Sequence, residues 1–119
     1  MIGDTGAPEL PIRARRTTPD RATANFHYTC PTTLNVAFVS IEVEQVSGHR
    51  LAIADNAIFN DFPGVPCTGA DTAGTLTLLP ASSFLLKNGK ATALIDVTLF
   101  DPVSGTFTDI TSTTQLKIH

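Results

Sequence analysis

The stretch Leu34 to Val46, LNVAFVSIEVEQV, decides the fold. Its odd positions Ala37, Val39, Ile41 and Val43 are apolar, while Ser40, Glu42 and Glu44 between them are polar. That period of two predicts a central β-strand with one buried face. In its first half the even positions Leu34, Val36 and Phe38 are apolar as well, so this part is apolar on both faces. Either another segment covers the second face or that face is a contact surface.

Similar ribbons flank it. Arg21 to Cys30 places Ala22, Ala24, Phe26, Tyr28 and Cys30 on one face and Thr23, Asn25, His27 and Thr29 on the other. Lys90 to Phe100 does the same with Ala91, Ala93, Ile95, Val97 and Leu99, after an Asn88-Gly89 pair suited to a tight hairpin turn. Glu9 to Arg16 alternates and carries Pro11, which fits an edge strand. Thr75 to Leu79 is a short strand, and Thr106 to Ile118 closes the chain with Thr114, Leu116 and Ile118 turned inward. The segment 49–62 is ambiguous between a short strand at Leu51 and Ile53 and a helical turn. About seven strands and no long amphipathic helix predict an all-β, antiparallel, immunoglobulin-like sandwich. Residues 1–8, small and punctuated by Gly and Pro, read as a flexible tail before a single domain at 9–119.

The 119 residues are 42% hydrophobic and 16% charged, in the range of a folded domain. Eight Lys plus Arg stand against eleven Asp plus Glu, a formal charge of -3 that argues against nucleic acid or an anionic membrane as partner. The basic cluster Arg13, Arg15, Arg16 and Arg21 reads as a charged edge strand. The apolar runs are too short to span a bilayer. Met1 followed by IGDTGAPELP, with no cationic-apolar leader, reads as a start placed where a cleaved leader ended; a genuine cytoplasmic or virion start is the alternative.

Cys30 and Cys67 have no metal-ligand spacing, and both fall at ends of elements. They are expected to form a disulfide worth roughly 3–4 kcal/mol in the chain-entropy model, which implies an oxidising compartment: secreted, cell-surface or virion.

Several motifs occur in order: Phe26-His27-Tyr28-Thr29-Cys30, the VSIEVEQ run ending at Gln45, Cys67-Thr68-Gly69 after a Pro-rich loop, NGKATA opening a long strand, and the closing Thr114-x-Leu116-x-Ile118. This order resembles a family of small secreted immunoglobulin-like proteins from actinobacteria whose function is unknown, over residues 10–118. A weaker likeness is to neocarzinostatin-type apoproteins, which carry an apolar chromophore in a cleft but hold more than one disulfide. The chain lacks the core Trp of antibody domains. Neither resemblance supplies a catalytic motif.

His27, His49 and His119 are dispersed, and no nucleophile, phosphate-loop or zinc motif occurs, so no enzyme and no cofactor is expected. Asp55, Asn56, Asn60 and Asp61 form an oxygen-rich group, but their order matches no calcium loop and turn formation explains them. The candidate site is apolar: Leu34, Val36, Phe38, Leu94 and Phe100 form an expected contact face, with Ile58, Phe59 and Phe62 as its cover or the wall of a cleft. The function expected is a secreted or surface binding or structural module, its partner a protein, either a second copy or another chain. One alternative is a carrier of a small hydrophobic molecule, marked by a deep cavity along 34–38, 58–62 and 94–100. Another is a virion decoration or assembly subunit, marked by an N-terminal tail ordered against a neighbouring chain.

Overall fold

A computed structural model describes residues 8–18 and 21–119, with side chains from residue 21 onward. Of the expected tail, residues 1–8, positions 1–7 lie outside the described residues and Pro8 opens the first strand. Eight strands follow in order: β1 Pro8–Thr18, β2 Arg21–Tyr28, β3 Asn35–Ser47, β4 Arg50–Phe59, β5 Val65–Pro66, β6 Thr72–Pro80, β7 Gly89–Asp101 and β8 Thr106–Ile118. Seven are substantial, and β5 is a two-residue addition to β3.

The pairings divide them into two sheets. One runs β4-β3-β7-β8, antiparallel throughout. The other joins β1, β2 and β6, also antiparallel. Short contacts close the two sides: β4 meets β6 at Ala54↔Pro80 and Asp55↔Leu79, and β1 meets β8 in parallel at Ala14↔Ile118. The second and sixth strands pair in one sheet and the third and seventh in the other, while the first strand runs parallel to the last. This is the strand arrangement of an immunoglobulin-like sandwich.

Apolar side chains at alternate positions fill the space between the sheets. Phe26, Ile41, Val43, Leu78, Ile95, Val97, Leu99 and Ile118 are its largest fully buried members. The parity read from β2, β3 and β7 therefore holds where it was clearest, because each strand has one face on this core.

The segment 49–62, open between a strand and a helical turn, is a strand over Arg50–Phe59. It forms no helical turn; Gly48, at φ 64°, turns the chain and β4 then pairs with β3 from Ser47↔Arg50 to Phe38↔Phe59. The segment widens the sheet in its own plane. Of its residues only Phe62, beyond the end of β4, reaches over the outer face, against Phe100.

The disulfide joins Cys30 to Cys67 as expected. It ties the end of β2 to the residue after β5, away from β7. The Cys67 N–H donates to the Leu34 carbonyl and the Gly69 N–H to the Cys30 carbonyl, both at 3.0 Å. Loop 60–69 is thereby fastened to the start of β3. Gly64 is required there: at φ 94° its backbone lies so close to β3 that a Cβ would stand 2.7 Å from the Val36 carbonyl oxygen.

Candidate functional site: the outer face of the β4-β3-β7-β8 sheet

Register decides which side chains reach the outer face. Between β3 and β7, Val36 pairs with Leu99 and Phe38 with Thr98, so Ala37 is an extra residue on β3. This β-bulge reverses the strand's parity. Before it, Leu34 and Val36 point into the core; after it, Val39, Ile41 and Val43 do. The apolar residues on both parities are thus one inner face interrupted by a bulge.

The expected contact face is corrected accordingly. Val36, 3% exposed, is core, and Leu34 packs against the core. Phe38 does turn outward, half-buried, with its ring 4.6 Å from that of Phe59. Leu94 is outward and 41% exposed. Phe100 lies on the outer face but is only 6% exposed, because the rings of Phe62 and Phe107 cover it at 5.0 and 4.8 Å. Of the expected covering residues, Ile58 packs on the core side, whereas Phe59 and Phe62 are 77% and 76% exposed. Along the expected cleft, ring meets ring.

The outcome is an aromatic end. Phe38, Phe59, Phe62, Phe100 and Phe107, five of the chain's seven phenylalanines, gather at one end of this face. Exposed Val65, on β5, and Val103, in the turn between β7 and β8, lie at the same end. Strand spacing alone does not single out Phe107. The turn after Asp101 sets β7 and β8 so that Phe100 stands opposite Phe107, and that pairing was the available signal.

Next to the rings the face turns acidic. On β3 and β4, Glu42 stands directly opposite Asp55, with Glu44 one alternate position along. Asp96 on β7 lies diagonal to Asp109 on β8, whose Oδ1 accepts a hydrogen bond from Thr98 Oγ1 at 3.1 Å. Burial raises the Glu42 carboxyl above its usual range, and the charges of Glu44 and Asp55 push it further. Burial also lifts Asp96 to about 6, helped by Asp109, to which the protonated form can donate. Asp96 Oδ1 is buried without a hydrogen-bond partner. The cations of this face, Lys90 and Lys117, pair across β7 and β8 at the end away from the rings.

Two shallow depressions indent the face. One, of about 360 Å³, is bordered by Ser40, Glu42, Asp55 and Ala57, and the other, of about 330 Å³, by Glu44, Val46, Lys90 and Gln115.

The remaining candidate groups have structural roles. His27 reaches Asp71 at 3.2 Å in an exposed pair. Asn56 donates to the Thr77 carbonyl and Asn60 to that of Val36, so the oxygen-rich group serves backbone contacts. Among the described residues no cluster of His, Cys, Asp and Glu could hold a metal ion.

No protein-family model and no curated protein matches the sequence. Among solved structures the chain is similar to murine CRIg, at 12% identity and a TM-score of 0.47, over 96% of this chain and 98% of that one. The fold assignment rests on the strand pairings above.

Proposed function

We propose that the protein is a non-catalytic binding or structural module, secreted or surface-exposed, whose contact surface is the outer face of the β4-β3-β7-β8 sheet. The observation that carries this reading is the aromatic end: Phe59, Phe62 and Phe107 all present more than half of their surface to solvent beside one another. Large rings concentrated on one spot of a sheet are the residue type that anchors interfaces, whereas scattered apolar residues are not. The acidic residues beside them add a polar surround that would select among partners. The disulfide supports export. The reading agrees with the resemblance to small secreted actinobacterial immunoglobulin-like proteins.

The test is site-specific photo-crosslinking in cells that express the protein. A photoreactive phenylalanine analogue at position 59 or 107 is expected to give a discrete protein adduct. The same analogue at Thr23, on the opposite sheet, is expected to give none. Equal labelling from all three positions, or none from 59 and 107, would remove this face as the contact surface.

A further inference from the structure

Three successive cross-strand pairs of β3 and β4 set unlike chemistry side by side. Phe38 stands opposite Phe59, Ser40 opposite Ala57, and Glu42 opposite Asp55. Alternate residues of a strand share a face and lie about 7 Å apart, so these pairs form three rungs on the outer face. The middle rung carries small side chains and lines the depression of about 360 Å³ that Glu42 and Asp55 also border. Two aromatic rings, 4.6 Å apart, stand on one side of this notch. Two carboxylates stand on the other. On β7, Asp96 pairs with Ser40 and adds a third carboxylate at the level of the notch. Its Oδ1 is buried and accepts no hydrogen bond.

The charge of these rungs is uncompensated. Carboxylates directly opposite each other destabilise a sheet, and among the described residues neither Glu42 nor Asp55 has an ion-pair partner. Burial, with the charges of Glu44 and Asp55, holds the Glu42 carboxyl above its usual range, and a cation in the notch would offset the repulsive part of that cost. Cations of the sheet are placed elsewhere: Lys90 and Lys117 stand opposite each other at the end away from the rings, and Arg50 lies 4.9 Å from the centre of the Phe84 ring. A compact metal ion does not suit the notch, because no three metal-ligating side chains converge there among the described residues. A guanidinium does. It is planar and weakly hydrated, stacks on rings with its face and forks onto carboxylates with its edge.

Resting on the contact surface proposed above, we infer that the notch over Ser40 and Ala57 receives an arginine side chain of a partner protein, its guanidinium stacked against Phe38 and Phe59 and hydrogen-bonded to Glu42 and Asp55. The rings select arginine over lysine, whose ammonium carries the charge without the plane. The chain's own formal charge of -3 makes a second copy the less complementary occupant, so the arginine belongs to a different, cationic protein.

Titration of the 15N-labelled protein, followed by two-dimensional NMR, with acetyl-Gly-Ser-Arg-Ser-Gly-amide and with its lysine counterpart tests this. The arginine peptide should move the amide signals of residues 38–42 and 55–59 and leave that of Thr23, on the opposite sheet, in place. It should bind about fivefold more tightly than the lysine peptide, the advantage of a stacked guanidinium over an ammonium. Glu42→Gln with Asp55→Asn, which keeps the shapes and removes the charges, should weaken arginine binding about fivefold or more. Phe59→Ala should bring the two peptides within about twofold of each other. The absence of shifts at millimolar peptide, or equal binding of the two peptides, would overturn the inference, and both outcomes are read on wild-type protein. A folded Glu42→Gln, Asp55→Asn variant that binds the arginine peptide as wild type does would overturn it as well, and the same spectra report whether each variant is folded. Photo-crosslinking separates the two proposals: adducts from positions 59 and 107 with no preference for arginine would sink the notch and leave the contact surface standing.

Discussion

Phe26 and Gly74 show how single residues set this core. They stand opposite each other on β2 and β6, and a Cβ on Gly74 would collide with the Phe26 ring. The ring is fully buried and cannot swing aside, so Gly74→Ala should cost about 2 kcal/mol in urea unfolding, an overpacking penalty. Gln45 has a different task. Its Nε2 donates to the carbonyls of Lys87 and Lys90 at 2.8 and 3.3 Å, and its Oε1 accepts the Lys87 N–H at 2.8 Å. One buried side chain thus holds the turn into β7. Gln45→Ala should lose about 2–3 kcal/mol by the same measurement, because backbone groups are left unpaired. Asp96 acts through pH. Its carboxyl is raised from 3.8 to about 6 in the folded protein, so it binds a proton more tightly folded than unfolded. The stabilisation is complete below about 3.8 and is lost as pH rises through about 6. Asp96→Asn, which keeps a donor toward Asp109, should stabilise the protein by about 1 kcal/mol at pH 8 and flatten melting temperature against pH between about 4 and 7.

At the scale of elements, strands with uninterrupted alternation were legible in the sequence and the exceptions were not. β2 and β7 each keep one parity from end to end, so Ala22, Ala24, Phe26, Ile95 and Val97 could be assigned to the core from spacing alone. β3 could not be read as simply. The bulge at Ala37 leaves no composition signal, and without it Val36 looks like an outer-face residue. β4 was obscured by alanines and Asx residues of weak strand propensity; its pairing with β3 overrides that propensity. The disulfide is a device of the same scale, closing a 37-residue separation and fastening loop 60–69 to β3. Replacing both cysteines by alanine should cost roughly 3 kcal/mol on the chain-entropy account. The first protection lost in hydrogen exchange should be that of the Cys67 and Gly69 amides.

For the whole molecule, the two sheets serve different ends. Their inner faces supply an ordinary apolar core, and the outer face of β4-β3-β7-β8 collects rings at one end and carboxylates beside them. Only part of that surface was readable beforehand. Phe38, Phe59, Phe62 and Leu94 were singled out by spacing, but the grouping of Phe100 with Phe107 depends on strand register across a turn. A core residue and an exposed ring differ in what their removal costs, since truncating a buried Phe leaves a cavity and an exposed one does not.

That difference gives the most direct test of the account. The measurement is the unfolding free energy of the triple variant Phe59→Ser, Phe62→Ser, Phe107→Ser by urea denaturation. The account predicts a soluble, folded protein within about 2 kcal/mol of wild type, the residual loss coming from ring contacts with Phe38 and Phe100. A loss of about 5 kcal/mol or more would contradict it, because these rings would then be part of the core and not a surface held ready for a partner.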